Sequence, residues 1–396
     1  MAAIRPETRS IMEKDVSVIK RGGDPFPPVP SSARLAILLP TARWTPMARS
    51  VIGSMIGVAS EEVAVLIADN SEDTEKQEFL AKIRSANPHV IAVTHEKNIG
   101  ASANFNYLFE WSRPVEFIAM MADDDWMSPA YHVDAYKQLL DRPDASSAEV
   151  GITLLNLGDG KFRIGSQPSI RGSSPIERIR QWNGLAGRAT MYNASRRAAV
   201  EAACEFLDLT PLQGWSLAED IWELSRLASG NFLNIPGQNC FVHYAAHCSP
   251  GQEIQQQYEL CCKGAGLQLP FAYFLGLSTA IQCGLFLMGN RSPISDPLEK
   301  ERCGQYVFGN LFKGMFLPRF AGEAGPELVT DLFKDYPAAM TGFSQYYAPS
   351  FAREPLLDRP FIDWFVEVIK VFETRPPANG APLSERFRKF VDLIFT

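Results

Sequence analysis

The segment FIAMMADDDWMSP, residues 117–129, constrains the fold more than any other stretch, because an uncharged run stops abruptly at three consecutive aspartates. A strand exposed on one face alternates apolar and polar side chains, whereas a strand covered on both faces reads as a continuous apolar run. Residues 117–121 are therefore expected to form an interior strand of a parallel sheet, with Asp123, Asp124 and Asp125 just past its carboxyl end. In open α/β sheets the ligand crevice forms outside those strand ends. Three adjacent like charges repel one another, and a solvated loop or a bound divalent cation relieves the repulsion. Mg²⁺ and Mn²⁺ take carboxylate oxygens and keep positions for substrate phosphates. The competing reading is an acidic turn capping a helix that starts near Pro129.

The residues before this segment alternate in the same way. Apolar runs at 35–40, 63–68 and 90–94 read as strands, and helical spacing occupies 45–57, 74–86 and 101–111. The second of these helices carries Phe79, Leu80 and Ile83 on one face and stops at Asn87-Pro88. Such strand-helix-strand units imply an α/β fold, a mostly parallel sheet with helices on both faces. After the aspartates a helix is expected at 130–140 and a strand at 150–157. A long loop follows at 158–186, carrying Arg163, Arg171, Arg178 and Arg180, then a strand at 188–192, a helix at 195–207 and a turn leading into a helix within 214–230. The arginine loop reads as a solvated segment or as one that meets an anionic ligand.

Beyond residue 249 helical periodicity dominates, notably at 360–372 and 383–395. The expected organisation is an N-terminal arm (1–33), an α/β domain (34–249) and an α-helical C-terminal domain (250–396). Residues 264–290 carry no charge and are long enough to span a bilayer. Gln268, Pro270 and Gln282 favour a buried helix or helical pair, and a membrane-surface segment stays open as the alternative.

Composition narrows the function classes. A formal net charge of -7 argues against a nucleic-acid binder, which needs a basic surface. Seven cysteines without a CxxC pair point to reduced thiols in a cytoplasmic protein, and MAAIRPETRSIMEKD has no apolar core of a signal peptide. Peripheral contact with the inner face of a membrane and assembly as a homo-oligomer stay open.

Polar groups recur at the strand ends: Thr41 and Arg43 after the first strand, Asp69 and Asn70 after the second, Glu96, Lys97, Asn98 and Gly100 after the third. Loops that follow parallel strands gather on one side, so these groups and the aspartates are expected to form a site for a charged ligand and a metal. Each also has a local reading: Thr41 as a helix cap, Asp69-Asn70 as an Asx turn, Asn98 to Gly100 as turn chemistry.

The ordered set LAILLPTAR, VAVLIADNSED, NIGASANFN, MMADDDWMSP and LAEDIWELSRL resembles the inverting, nucleotide-sugar-dependent glycosyltransferases of family two, which have the GT-A fold. The resemblance covers roughly residues 34–249. It implies that Pro40, Thr41, Arg43, Asp69 and Asn70 hold the nucleoside of a nucleotide-sugar donor, a UDP-sugar above all. Asn98, Gly100 and Asn104 would lie beside the diphosphate and the sugar, along with Asp123 and Asp124. It further implies a DxD motif with Asp123 and Asp125 as outer members, Asp125 foremost, binding Mn²⁺ or Mg²⁺. Ala122 stands where many relatives carry an aspartate, so the choice of pair stays open.

Glu219-Asp220 resembles the family's Glu-Asp pair, whose aspartate is the catalytic base. Inverting transfer is a direct displacement at the anomeric carbon, so the acceptor hydroxyl must lose its proton as it attacks. The amino end of the helix is expected to keep that carboxylate ionised; compensation of the helix dipole is the structural alternative. His247 in FVHYAAHCSPG matches a family histidine and becomes a candidate for the metal or the phosphates; His243 does not match, and a packed histidine is the alternative for either. Trp215 is a candidate for contact with a saccharide or lipid-linked acceptor, and Trp126 a weaker one; both equally suit a core. A sugar-nucleotide pyrophosphorylase is disfavoured, because LLPTARWTP lacks that class's glycine-rich loop. A non-catalytic saccharide-binding or scaffold protein on the same fold is the remaining alternative.

Overall fold

The computed structural model describes residues 26–156, 161–165, 168–182, 190–212, 215–243, 250–316, 318, 356–374 and 380–395. Strands β1 (Leu35–Thr41), β2 (Val63–Asp69), β3 (Val90–Thr94) and β4 (Phe117–Met120) form a parallel set in the spatial order β3-β2-β1-β4. Helices α1 (Pro46–Ile56), α2 (Thr74–Ala86) and α3 (Ala101–Trp111) connect them. Every residue of β2 and β4 is buried, which explains why neither sequence alternates. The chain leaves β1 towards β2 and β3, then returns to place β4 on the other edge of β1. At this switch point the loops after β1 and β4 diverge and leave a crevice.

The sheet continues through β5 (Trp126–Met127), β6 (Ala145–Asn156), β7 (Lys161–Gly165), β8 (Ala194–Arg196) and β9 (Asn231–His243), with α4 (Ala130–Leu140), α5 (Pro175–Gln181), α6 (Ala198–Leu207) and α7 (Trp215–Ser229) around it. Several expectations need correction here. The stretch 158–186 is not loop throughout, since it contains β7 and α5. Residues 194–196 pair with β4 and β6 before the helix begins. Instead of a strand, Thr190–Tyr192 is a 3₁₀ turn, and the remainder of 183–189 lies outside the described residues. The unanticipated β9 runs parallel to β6, and its register skips across Pro236-Gly237, because Val150 pairs with Ile235 and Ile152 with Asn239. That bulge absorbs a dipeptide that on sequence reads as a turn.

The helical region comprises α8 (Pro250–Gln257), α9 (Leu275–Met288), α10 (Pro297–Leu311), α11 (Arg359–Phe372) and α12 (Leu383–Phe395). Leu269–Met288, with mean hydropathy 1.6, is the one helical stretch among the described residues long and apolar enough to cross a membrane, and 83% of it is buried. The uncharged segment therefore packs as a core helix, against α10 and α7. A Cβ on Gly304 would lie 2.8 Å from the Gly284 carbonyl oxygen and 2.2 Å from Met288 Cγ, so glycines set the approach of α9 to α10. Gly304→Val is expected to cost about 1–3 kcal/mol by overpacking, read as a lower midpoint in urea unfolding. An unchanged midpoint would mean that this contact is not tight. The six described cysteines are unpaired thiols.

Candidate functional site

The loop leaving β1 is built around one carboxylate. Asp123 Oδ2 accepts from the Thr41 hydroxyl at 2.8 Å and from the backbone N–H groups of Ala42 and Arg43 at 2.9 Å each. Its Oδ1 accepts from the Arg43 guanidinium at 3.3 Å. Thr41 is therefore no helix cap; Thr45 caps α1, accepting from Ala48 N–H at 3.1 Å. Nor do the aspartates cap α4, whose first turn receives no side-chain cap. Both local readings give way to a cross-link between the loops after β1 and β4.

Behind that loop lies an ion pair with neither partner exposed. Lys76 Nζ donates to Asp69 Oδ1 at 2.8 Å and to Thr41 Oγ1 at 2.8 Å. Asp69 Oδ1 also accepts from Ser71 N–H at 3.1 Å, while Oδ2 is buried without a donor. Sequence reasoning missed Lys76, although two signals mark it. It follows the Asp73 cap within the first turn of α2, where a cation opposes the helix dipole. It also lies on the stripe of Phe79, Leu80 and Ile83, where a lysine is out of place unless paired.

The third loop is tied to the second. Asn70 Nδ2 donates to Asn98 Oδ1 at 2.9 Å and to the Gly100 carbonyl at 3.3 Å, and Asn70 Oδ1 accepts from Ile99 N–H at 2.7 Å. Gly100, with φ of 88°, occupies the left-handed region that favours glycine and starts α3. Asn104 is buried, donates to the Ala68 carbonyl at 2.9 Å and pairs with His95 at 2.9 Å.

These loops surround a cavity of about 400 Å³ lined by Pro40, Thr41, Ala42, Arg43, Asn70, Asn98, Ala101, Asn104, Asp123, Asp124, Tyr192 and Glu219, among others. Six separate stretches of chain thus meet at one edge of the sheet. Asp69 and Lys76 do not reach the wall; they lie sealed beneath it.

The three aspartates diverge. Asp123 faces β1, Asp124 is half-exposed and pairs with Arg43, and Asp125 accepts from the Tyr192 hydroxyl at 2.6 Å. Tyr192 was not anticipated from sequence. Burial above all, then the charge and hydrogen bond of Asp125 and the charges of Asp124 and Glu219, push its pKa well above the ordinary phenol value. For a divalent cation the fit is therefore uneven. Both oxygens of Asp123 accept from donors of the loop after β1, Asp124 pairs with Arg43, and Asp125 meets Tyr192. Among the described residues no three His, Cys, Asp or Glu side chains form a closed metal cage. A hard cation held mainly by substrate phosphates and water needs only one or two carboxylates. His247 lies outside the described residues, as do the side chains of Trp215 and His243. Trp126 packs partly buried in β5, paired with Val242, on the core side.

The Glu219-Asp220 pair lies in the second turn of α7, and the first turn holds no acidic residue, so dipole compensation does not account for it. Glu219 reaches the cavity wall, while Asp220 is only 3% exposed. Burial, followed by the charges of Glu219 and Glu223, pushes the Asp220 carboxyl up to about 8. The expectation that the helix amino end keeps it ionised is thus reversed: at the second turn the dipole is weak, and desolvation dominates. Arg178 does not face the cavity either. Its guanidinium is buried and donates to the carbonyls of Leu227 at 2.6 Å, Ala228 at 3.0 Å and Gly172 at 2.9 Å, closing the carboxyl end of α7.

A parallel sheet whose switch-point crevice gathers carboxylates, amides and one arginine, backed by helices on both faces, defines the GT-A class of scaffold. Residues 45–202 match the model of glycosyl transferase family 2. Among solved structures, S. aureus TarS 1-349 is similar with a TM-score of 0.53 at 10% identity, over 91% of this chain and 90% of that one. The same protein in complex with UDP gives a TM-score of 0.50 at 10% identity, again over 91% and 90%. No curated protein matches the sequence.

Proposed function

We propose that the protein is an inverting glycosyltransferase that moves a sugar from a UDP-sugar to a hydroxyl of a saccharide or lipid-linked acceptor in polysaccharide or glycoconjugate synthesis. The observation that carries this reading is a cavity into which the polar ends of four parallel strands open, with Glu219 on its wall and the buried carboxyl of Asp220 next to it in sequence. A general base works best with a pKa near the operating pH, and burial supplies that shift. The UDP bound by the similar TarS structure supports the nucleotide. In this reading Pro40, Thr41, Arg43 and Asn70 border the nucleoside, with Asp69 beneath them, and Asn98, Gly100 and Asn104 flank the diphosphate and sugar.

The acceptor oxygen attacks the anomeric carbon and its proton passes to Asp220. The bond between that carbon and the diphosphate oxygen breaks, and UDP departs with the electron pair. Arg43 at the cavity mouth and the N–H groups starting α3 stabilise the charge left on the diphosphate. Asp124 and Asp125 would hold Mn²⁺ or Mg²⁺, which supplies further charge neutralisation on the departing phosphates. Glu219 keeps Asp220 basic by like-charge repulsion.

The pH dependence tests this arrangement. Asp220 acts only when deprotonated, so kcat/KM is expected to rise with pH through about 8 and then level off. Glu219→Gln removes a negative neighbour and should move the rising limb to lower pH, measured with a UDP-sugar from pH 6 to 10. A profile unaffected by Glu219→Gln would place the titrating base elsewhere.

A further inference from the structure

We infer that His95 is a positioning residue that holds the amino end of α3 against the diphosphate of the donor; the inference rests on the reading of that helix end as the diphosphate border. The first turn of α3 receives no side-chain cap, and Ala101 and Asn104 of this helix line the cavity. Its N–H groups therefore keep their capacity for an anionic ligand. A ligand gains from them only if the helix end stays at a fixed distance from the loops after β1 and β4. Asn70 holds the turn that precedes the helix. His95, which directly follows β3 and does not line the cavity, holds the helix itself.

Backbone and ring of His95 are both engaged. Its N–H donates to the Asp69 carbonyl at 2.9 Å, which anchors it to β2. Its Nε2 lies 2.9 Å from Asn104 Oδ1, and its ring packs edge-on against Tyr107 with the centroids 4.9 Å apart. Asn104 and Tyr107 are one turn apart on the same face of α3, so His95 grips the helix at two successive points. Valence sets the polarity of the first contact. Asn104 Nδ2 donates to the Ala68 carbonyl at 2.9 Å, and a carbonyl only accepts, so the amide nitrogen faces β2 and the amide oxygen faces His95. Nε2 must therefore carry the hydrogen. Asn104 is buried, so without that N–H its oxygen would lose its donor and the amide one of its two anchors. One imidazole thus ties the ends of β2 and β3 to the helix that borders the cavity.

The test compares UDP with UMP, which lacks the second phosphate, by calorimetric binding to the full chain at one fixed Mn²⁺ concentration. Wild type is expected to bind UDP at least about tenfold more tightly than UMP. His95→Phe keeps a ring for Tyr107 but has no N–H, and thermal unfolding checks that it folds. It is expected to lower the preference by a factor of about five or more, with UMP affinity within about twofold of wild type. His95→Gln returns an N–H near the Nε2 position without the ring, and should bring the preference back to within about twofold of wild type. A histidine that serves packing alone would give the reverse order, phenylalanine tolerated and glutamine not. A folded His95→Phe variant that keeps the wild-type preference or weakens both nucleotides equally, or a His95→Gln variant that loses the preference, overturns the inference while leaving the donor site intact. A wild type that binds UDP no better than UMP overturns the inference and the diphosphate reading of the α3 end, and one that binds neither nucleotide overturns the donor site as a whole.

Discussion

Asp220→Asn is expected to lower sugar transfer by about a thousandfold, within the usual contribution of a positioned base, and to leave UDP binding within about twofold of wild type. The same substitution should stabilise the protein. The folded carboxyl is raised from 3.8 to about 8, so its contribution to stability is complete below pH 4 and is lost as pH rises through 8. A neutral amide escapes that loss. The variant should therefore exceed wild type in stability at pH 8, on the order of 2 kcal/mol, with the difference shrinking towards pH 4. Thermal unfolding at the two pH values reads this directly. Loss of activity with an equal loss of stability would instead indicate a merely structural aspartate.

Asp123→Ala is the second large effect. It removes the acceptor for the Thr41 hydroxyl, for two backbone N–H groups and for the Arg43 guanidinium. Each donor left without a partner costs about 1–3 kcal/mol where buried, so UDP affinity is expected to fall more than about a hundredfold and the unfolding midpoint to drop. Asp124→Ala, by contrast, removes a half-exposed partner of Arg43 and should leave stability nearly unchanged. If the two variants behave alike in unfolding, the different environments of the two aspartates carry no weight.

The parallel half of the fold was legible because burial on both faces removes alternation, so β1, β2 and β4 stand out as apolar runs and each ends at a polar residue. Thr41, Asp69, Asn70 and the aspartates could be placed at one sheet edge by that logic alone. What could not be read was the division of labour among them. Asp123, Asp124 and Asp125 are chemically identical in sequence, and only the folded loops commit one to β1, one to Arg43 and one to Tyr192. Lys76 and Tyr192 belong to elements distant from the motifs they support. The strand β9 was hidden by Pro236-Gly237, which a bulge accommodates, and Arg178 by its place in an apparently loop-like stretch. Asp220 was found by resemblance, yet its raised pKa depends on packing that local sequence does not report.

The most direct measurement follows UDP release from a UDP-sugar panel with Mn²⁺ present, alongside UDP binding, for wild type and Asp220→Asn. Wild type is predicted to release UDP from at least one donor, and Asp220→Asn to bind UDP equally while releasing it about a thousandfold more slowly. Absence of UDP binding by wild type, or undiminished release by Asp220→Asn, would contradict the assignment of a donor cavity served by that base.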